Sequence, residues 1–224
     1  MRFIDTAESY ANGHSEEIVR QVVKSQRDQV FIATKVSPEH LSYEGVLRAC
    51  DKSLTRLGTR YIDLYQIHWP NPTIPIQETM RAMERLVQEG KVRLIGVSNF
   101  SIQQTREAQE ALSRNSLASN QVKYSLIDRS IETELLPYAE REHLTIIAYN
   151  PIAKGRIAQN GRGDQWQLLD KIASKYAKTR TQVALNWLLV KAASLEHVKE
   201  NAGATGWMLT KNDEEALSQA FMNP

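Results

Sequence analysis

Residues 60–70 read R-Y-I-D-L-Y-Q-I-H-W-P, and this stretch decides the fold of the chain. Ile62, Leu64 and Ile67 predict a strand that is buried on both faces, and the W-P dipeptide ends it. His68 is therefore placed at the carboxyl end of a central strand. In a parallel α/β barrel this end carries the chemistry, because the loops that leave it converge there.

Two other strand-like runs lead to reactive side chains. One run, F-I-A-T, leads to Lys35, and the other, R-F-I, leads to Asp5, with Tyr10 five residues later. The carboxyl ends of parallel strands in a barrel lie at one rim. We therefore expect Asp5, Tyr10, Lys35 and His68 to face one another.

The pattern of strands alternating with helices continues to Pro151 and is typical of repeated βαβ units. Including the three strands above, six strands are predicted, the last three at residues 91–97, 119–124 and 144–149. Helices are predicted at residues 42–57, 76–87, 101–112, 132–142, 165–176, 181–190 and 213–221. Residues 195–201 predict a helical turn. The fold class is thus α/β, with a barrel of the TIM (β/α)8 type.

A further helix is expected to begin at His14. Glu16 and Glu17 are interpreted as a solvated first turn, and Thr181 as the cap of a later helix. The buried face of the helix that begins at His14 is predicted to consist of Ile18, Val19, Val22 and Val23.

The composition restricts the function classes. A chain of 224 residues is expected to form a single domain over residues 1–224, slightly shorter than the roughly 250 residues of a closed eight-fold barrel. Its 28 basic and 26 acidic residues are interspersed, which argues against nucleic acid as a partner. Cys50 is the sole cysteine, so we expect no disulfide and a cytoplasmic location. No membrane span, signal peptide or metal-ligand spacing is expected.

The four side chains at the strand ends are suited to reducing a carbonyl group. A bound donor must supply the hydride, and an acid must protonate the oxygen. Tyr10 can be that acid if a neighbouring ammonium lowers its pKa from the usual value of about 10. Lys35 is the candidate ammonium, Asp5 would hold its proton, and His68 would orient the substrate oxygen.

At this point the chain resembles a known family, the aldo-keto reductases. I-D-T-A-E-S-Y at residues 4–10 resembles the signature around the family's aspartate and tyrosine. F-I-A-T-K-V at 31–36 and Y-I-D-L-Y-Q-I-H-W-P at 61–70 resemble the strands that bear its lysine and histidine. The likeness continues in G-V-S-N-F at 96–100, N-Q-V-K-Y-S at 120–125, I-A-Y-N-P at 147–151, Q-V-A-L-N-W-L-L at 182–189 and E-H-V-K-E-N at 196–201.

The resemblance implies a TIM barrel that reduces a small aldehyde or ketone with NADPH, with NADH as an alternative donor. It implies that Asp5, Tyr10, Lys35 and His68 are catalytic. It also implies a cofactor site in which Ser98, Asn99 and Gln121 bind the nicotinamide carboxamide and Tyr149 stacks on its ring. The remaining cofactor residues implied in this way are Asn150, Glu200 and Asn201.

Two departures from the family pattern stand out. The family's first strand and its eighth strand have no counterpart here, and Ala11 stands where the family usually has glycine. A barrel without two neighbouring strands would expose two sheet edges. Three explanations stay open: a shortened protein, a sequence from which segments are missing, or a barrel completed by a partner chain. The oligomeric state is not predicted.

Two rival functions also stay open. A barrel aldolase would use Lys35 as a Schiff-base nucleophile. A non-catalytic barrel remnant would act, if at all, through a protein partner. Hydride transfer from NADPH that depends on Tyr10 would distinguish a reductase from both.

Overall fold

The computed structural model describes residues 2–159, 161–191 and 206–222. The strands found there form one sheet in chain order, and the first five pair successively in parallel. The strands are β1 (Arg2–Asp5), β2 (Val30–Val36), β3 (Ile62–Ile67), β4 (Val92–Ser98), β5 (Leu117–Lys123) and β6 (Thr145–Tyr149).

Helices follow the strands as the sequence pattern predicts. In the described ranges the α-helices are α1 (His14–Val23), α2 (Tyr43–Leu57), α3 (Ile76–Gln88), α4 (Ile102–Glu110), α5 (Leu135–Arg141), α6 (Asp164–Lys175), α7 (Arg180–Lys191) and α8 (Lys211–Ala220). The predicted α/β class and the six strands are confirmed. No strand follows β6 among these residues, and the turn expected at residues 195–201 lies outside them.

The first of two compact units comprises Met1–Gln121 and Tyr138–Thr145. Its central strand, β3, is buried along its whole length, as expected for a strand covered on both faces. The helix before this strand, α2, is capped at its amino end by Ser42, whose Oγ accepts a hydrogen bond from the Gly45 N–H. It ends at Gly58, which has the left-handed φ of +62° that glycine adopts without strain.

The second compact unit comprises Val122–Pro137 and Ile146–Pro224. Its apolar core surrounds Trp187, which is completely buried and lies against Tyr124 with ring centroids 5.8 Å apart. The cap of α7 is Thr179, which exchanges hydrogen bonds with Gln182, so the predicted cap at Thr181 is wrong. Single-domain organisation over residues 1–224 stays a prediction.

The predicted buried face of α1 is only half right. Val19 and Val23 are buried, but Ile18 and Val22 are exposed. Glu16, interpreted from the sequence as solvated, is completely buried, so that interpretation is wrong. Its burial is possible because its two oxygens accept hydrogen bonds from Thr34 and Arg56, which supply the polar partners that water would otherwise provide.

Near the amino ends of β2 to β4, Asp63 joins neighbouring strands. Its side chain is 4% exposed, and it binds the guanidinium groups of Arg27 and Arg93 at 2.7 and 2.9 Å. It also accepts the backbone N–H of Ile32 at 2.9 Å. Tyr61 lies between the two guanidinium groups, about 4 Å from each. Since every bond involves a charged group, this carboxylate anchors β2, β3 and β4 to one another.

We expect Asp63→Ala to lower the free energy of unfolding by about 3–5 kcal/mol, because it leaves the Arg27 guanidinium, which is only 15% exposed, and the Ile32 N–H without their acceptor. Asp51→Ala is the matched control. Asp51 pairs with Lys91 but is 57% exposed, so its loss should cost less than about 1 kcal/mol. Urea denaturation of both variants provides the measurement, and equal losses would contradict the assigned role of Asp63.

Candidate active site

Lys35 is the most deeply buried charged group at the carboxyl ends of the strands. Asp5 in β1 is paired with Ala33 in β2, so Lys35, two residues further along β2, lies on the same face as Asp5. The Lys35 side chain is 1% exposed, and its Nζ donates to Asp5 Oδ2 at 2.6 Å. A second bond from Nζ to the Thr6 carbonyl oxygen measures 2.8 Å.

Two opposed effects act on the Lys35 charge. Burial lowers its pKa from the usual value, because removal from water disfavours the charged ammonium. The charge and the hydrogen bond of Asp5 act in the other direction and favour the ammonium. The net pKa is lowered, so Asp5 offsets only part of the effect of burial.

Tyr10 follows β1 in a short turn of 3-10 helix, Tyr10–Gly13. The Lys35 Nζ lies 5.2 Å from the centre of the Tyr10 ring. Tyr10 is 41% exposed to solvent. The following residues, Ala11 and Asn12, have left-handed φ angles of +48° and +54°. Such a conformation is unfavourable for alanine. Ala11, which stands where the family usually has glycine, therefore strains this turn.

His68 completes the group of four. Its ring makes an edge contact with Tyr10, with centroids 5.6 Å apart, and its Nδ1 is 3.3 Å from Ser9 Oγ. Burial lowers the His68 pKa, the nearby Lys35 charge lowers it further, and Asp5 raises it. The net pKa is below the usual value of 6.5, which makes the imidazole predominantly neutral at pH 7. Asp5, Tyr10, Lys35 and His68 are therefore brought together.

Three of the residues assigned to the cofactor lie beside this group. Ser98 Oγ donates to the Gln121 carbonyl oxygen at 2.9 Å, and Asn99 Nδ2 donates to the His68 carbonyl oxygen at 3.2 Å. Gln121 Nε2 donates to Asp5 Oδ1 at 3.0 Å. Asp5 therefore binds Lys35 with one oxygen and Gln121 with the other. Gln121 thus belongs to the same polar network as the lysine, a contact that the sequence did not reveal.

Tyr149 and Asn150 lie in the second compact unit, at the end of β6. They line a depression together with basic residues that sequence reasoning did not single out: Lys123, Lys154 and Arg156. Asn150 Oδ1 accepts the Lys154 backbone N–H at 2.7 Å, which folds the K-G-R run back towards the strand end. The signal in the sequence was this basic run directly after a strand. Glu200 and Asn201, the residues assigned to adenine, lie outside the described residues.

The described residues hold neither a cluster suited to a metal ion nor a helix suited to a membrane span. No group of three or more His, Cys, Asp or Glu side chains within 2–159, 161–191 and 206–222 has the arrangement needed to hold a metal ion. None of the helices in those ranges combines the length and the apolar character needed to cross a bilayer.

Comparison with known proteins identifies the family. The model of the Aldo/keto reductase family matches residues 1–220. This chain belongs to the aldo/keto reductase family. It is 34% identical to methylglyoxal reductase YeaE of Escherichia coli, over 100% of this chain and 81% of that protein. It is 32% identical to the glyoxal reductase of Bacillus subtilis, over 96% of this chain and 77% of that protein.

Solved structures of aldo-keto reductases have the same fold. The aldo-keto reductase from Klebsiella pneumoniae in complex with NADPH is 37% identical, with a TM-score of 0.84, and the match covers 100% of this chain and 81% of that chain. The thermostable aldo-keto reductase Tm1743, in complex with epalrestat, has a TM-score of 0.86 at 37% identity, covering 97% of this chain and 81% of that chain. The resemblance found in the sequence is thus confirmed, and the chain is an oxidoreductase of this family.

The electrostatic coupling in this aldo-keto reductase predicts opposite pKa changes at His68. Lys35→Met removes a charge that lowers the His68 pKa, so the pKa should rise towards 6.5. Asp5→Asn removes a charge that raises it, so the pKa should fall further. Titration of the His68 ring protons by NMR measures both variants. An unchanged His68 pKa in both variants would show that the ring does not sense these charges.

Proposed function

We propose that this aldo-keto reductase reduces a small aldehyde or ketone to the alcohol by hydride transfer from NADPH, with Tyr10 as the general acid. The observation that carries the proposal is the position of the Tyr10 ring, which lies 5.2 Å from the Lys35 ammonium and 5.6 Å from the His68 ring. A phenol, a cation and a neutral imidazole converge at one end of the sheet. Together they can protonate an oxygen on which negative charge develops.

Lys35 acts on Tyr10 through its charge. When Tyr10 gives up its proton, a phenolate forms, and the ammonium of Lys35, which is itself removed from water, stabilises it. Asp5 keeps the proton on Lys35 by accepting a bond of 2.6 Å. The ion pair with Asp5 also argues against the aldolase alternative, because a Schiff-base nucleophile must be a neutral amine and the carboxylate favours the charged form.

His68 orients the substrate oxygen. Since burial and Lys35 keep its pKa low, it carries one ring proton near neutral pH. Nδ1 lies 3.3 Å from Ser9 Oγ, and we assign the tautomer in which Nδ1 accepts from this hydroxyl. Nε2 then carries the proton and donates it in a hydrogen bond to the carbonyl oxygen that Tyr10 protonates.

The polar residues beside Asp5 fit a nicotinamide. When bound, NADPH supplies the hydride that no side chain can provide. Gln121 uses its amide N–H on Asp5, which leaves its Oε1 as an acceptor suited to a carboxamide N–H. Ser98 and Asn99 complete the proposed nicotinamide site. In the second compact unit we assign Tyr149 and Asn150 to the cofactor, as the resemblance implies. Lys154 and Arg156 offer positive charge that its phosphates require, whereas Lys123 is paired with Asp128 in the same depression. Glu200 and Asn201 stay proposals from sequence alone.

The substrate class is proposed from the relatives. Proteins named methylglyoxal reductase and glyoxal reductase match 96% or more of this chain. We therefore propose a small reactive aldehyde or ketone, with methylglyoxal as the probe. The alternative of a non-catalytic barrel remnant is not favoured, because the family model matches residues 1–220.

We expect Tyr10→Phe to lower the turnover of methylglyoxal by about 10²- to 10⁴-fold, since the ring stays but the transferable proton is lost. Turnover is measured from the loss of NADPH absorbance. Cofactor binding, followed by NADPH fluorescence, should be nearly unchanged.

Tyr43→Phe is the matched control. Tyr43 lies at the start of α2, where its ring packs against Arg81, and its variant should keep wild-type turnover. If Tyr10→Phe also keeps wild-type turnover, another group is the acid. If the wild-type protein gives no saturable change in NADPH fluorescence, the reductase proposal itself fails.

A further inference from the structure

Glu8 lies between two of the proposed catalytic residues in the sequence, three positions after Asp5 and two before Tyr10. Its side chain is 7% exposed although it carries a carboxylate. One oxygen, Oε1, accepts the backbone N–H of Ser37 at 2.7 Å and lies 2.9 Å from His40 Nδ1. Burying a carboxylate costs free energy unless hydrogen bonds replace those it made to water. The burial of Glu8 therefore calls for an explanation.

The Ser37 contact joins the loop that carries the acid to the loop that follows the cation. Ser37 lies two residues beyond Lys35, at the end of β2. The Glu8 backbone N–H also donates to the Lys35 carbonyl oxygen, at 3.3 Å. The backbone bond is long for its type, whereas the carboxylate bond is short and charge-assisted. The bond from the Ser37 N–H to the carboxylate is therefore stronger than the backbone bond between Glu8 and Lys35.

Tyr10 needs such a link because its own turn is strained. Ala11 and Asn12 are left-handed, and Gly13 follows with a φ of +89°. Conformations of this kind persist only where surrounding contacts hold them in place. On its other side the turn lies on Arg56. A Cβ added to Gly13 would be 2.6 Å from Arg56 Cδ. Arg56 is in turn fixed by a 2.6 Å bond to the buried Glu16.

We propose that Glu8 is a positioning residue for the reduction, whose bond to the Ser37 N–H fixes the Tyr10 ring at its working distance from Lys35. The inference rests on the proposed function, because it assumes that Tyr10 and Lys35 act together. Glu8 itself touches neither substrate nor cofactor in this scheme. Glu8 acts on the reaction only by holding the backbone segments that carry Tyr10 and Lys35. Loss of its bond should therefore alter turnover rather than cofactor binding.

The chain offers a clean test at Ser37, where one position supplies both a variant and its control. The Ser37 backbone, with φ −73° and ψ 151°, already has the conformation of proline. Ser37→Pro removes the N–H and puts a ring carbon where the proton was, so the Glu8 carboxylate must leave. Ser37→Ala removes only the hydroxyl and keeps the N–H.

We expect Ser37→Pro to lower kcat for methylglyoxal by about tenfold or more, because small displacements of a catalytic group are costly in rate. Glu8→Ala should do the same, whereas Glu8→Gln keeps an oxygen for the Ser37 N–H and should restore most of the turnover. Ser37→Ala should match the wild type. The Kd for NADPH should stay within about twofold in all four variants, since the nicotinamide residues are untouched.

Three further measurements separate positioning from a general loss of structure. Glu78→Ala removes a similar carboxylate bond, from Glu78 to the Tyr43 N–H at 2.8 Å, at a site away from Tyr10, and should keep wild-type kcat. Combining Glu8→Ala with Ser37→Pro should be no slower than Glu8→Ala alone, because Glu8→Ala already removes the Ser37 contact together with the contact to His40. In the slow variants, NADPH deuterated at the transferred position should show a larger isotope effect on kcat.

Wild-type kcat in Ser37→Pro would overturn the inference, and so would equal losses in Ser37→Pro and Ser37→Ala. If Glu8→Ala does not fold, the pair at Ser37 still decides. The Tyr10→Phe result is independent of this outcome. An active Tyr10→Phe variant removes the proposed acid, whereas an inactive one with a fully active Ser37→Pro variant rejects only the role of Glu8.

Discussion

The arrangement of the site depends on keeping a positive charge on a lysine that is almost entirely removed from water. Transfer of an ammonium into a protein interior costs several kcal/mol, and a single carboxylate repays this only with good geometry. Lys35 has that geometry, with bonds of 2.6 and 2.8 Å to Asp5 and to the Thr6 carbonyl oxygen. Asp5 remains 28% exposed, so only one member of the pair loses its hydration completely. Burial lowers the Lys35 pKa, Asp5 opposes that effect, and the ammonium lies 5.2 Å from the centre of the Tyr10 ring.

The two ends of the first unit's strands have different tasks. At the amino ends, Asp63 and two arginines hold neighbouring strands together by charged hydrogen bonds. At the carboxyl ends, polar groups are arranged for chemistry, as in other barrels. Between them, Gly96 lies in the row of the sheet that contains Lys35. A Cβ at Gly96 would approach Ser119 Oγ to 2.5 Å and Gln66 Cγ to 2.9 Å. The glycine thus leaves room for the polar side chains of Gln66 and Ser119 in the row of the sheet that contains Lys35.

Features that depend on strand direction could be predicted from the sequence, whereas features that depend on distant partners could not. Asp5, Lys35 and His68 each follow an apolar run, so parallel pairing alone predicts that they meet. Glu16 was misjudged because its partners, Thr34 and Arg56, are 18 and 40 positions away and carry no local signal. The α1 face was misjudged for a related reason. Helical spacing shows which residues lie on the same face of a helix. It does not show how much of that face the neighbouring elements cover.

Tyr10 differs from the other three groups because it lies on a loop rather than at the end of a strand. The hydrogen bonds of the sheet fix the position of a residue at a strand end, whereas a loop residue must be positioned by side-chain contacts. The contacts here come from two buried carboxylates, Glu8 and Glu16, whose negative charge by itself would oppose a phenolate. Arg56 offsets this charge, at 2.6 Å from Glu16 and 4.0 Å from Glu8. The Lys35 ammonium lies 5.2 Å from the centre of the Tyr10 ring, and the proposed mechanism relies on this charge. Carboxylates that are paired with Arg56 can thus hold the loop with part of their negative charge neutralised, as the proposed role of Lys35 requires.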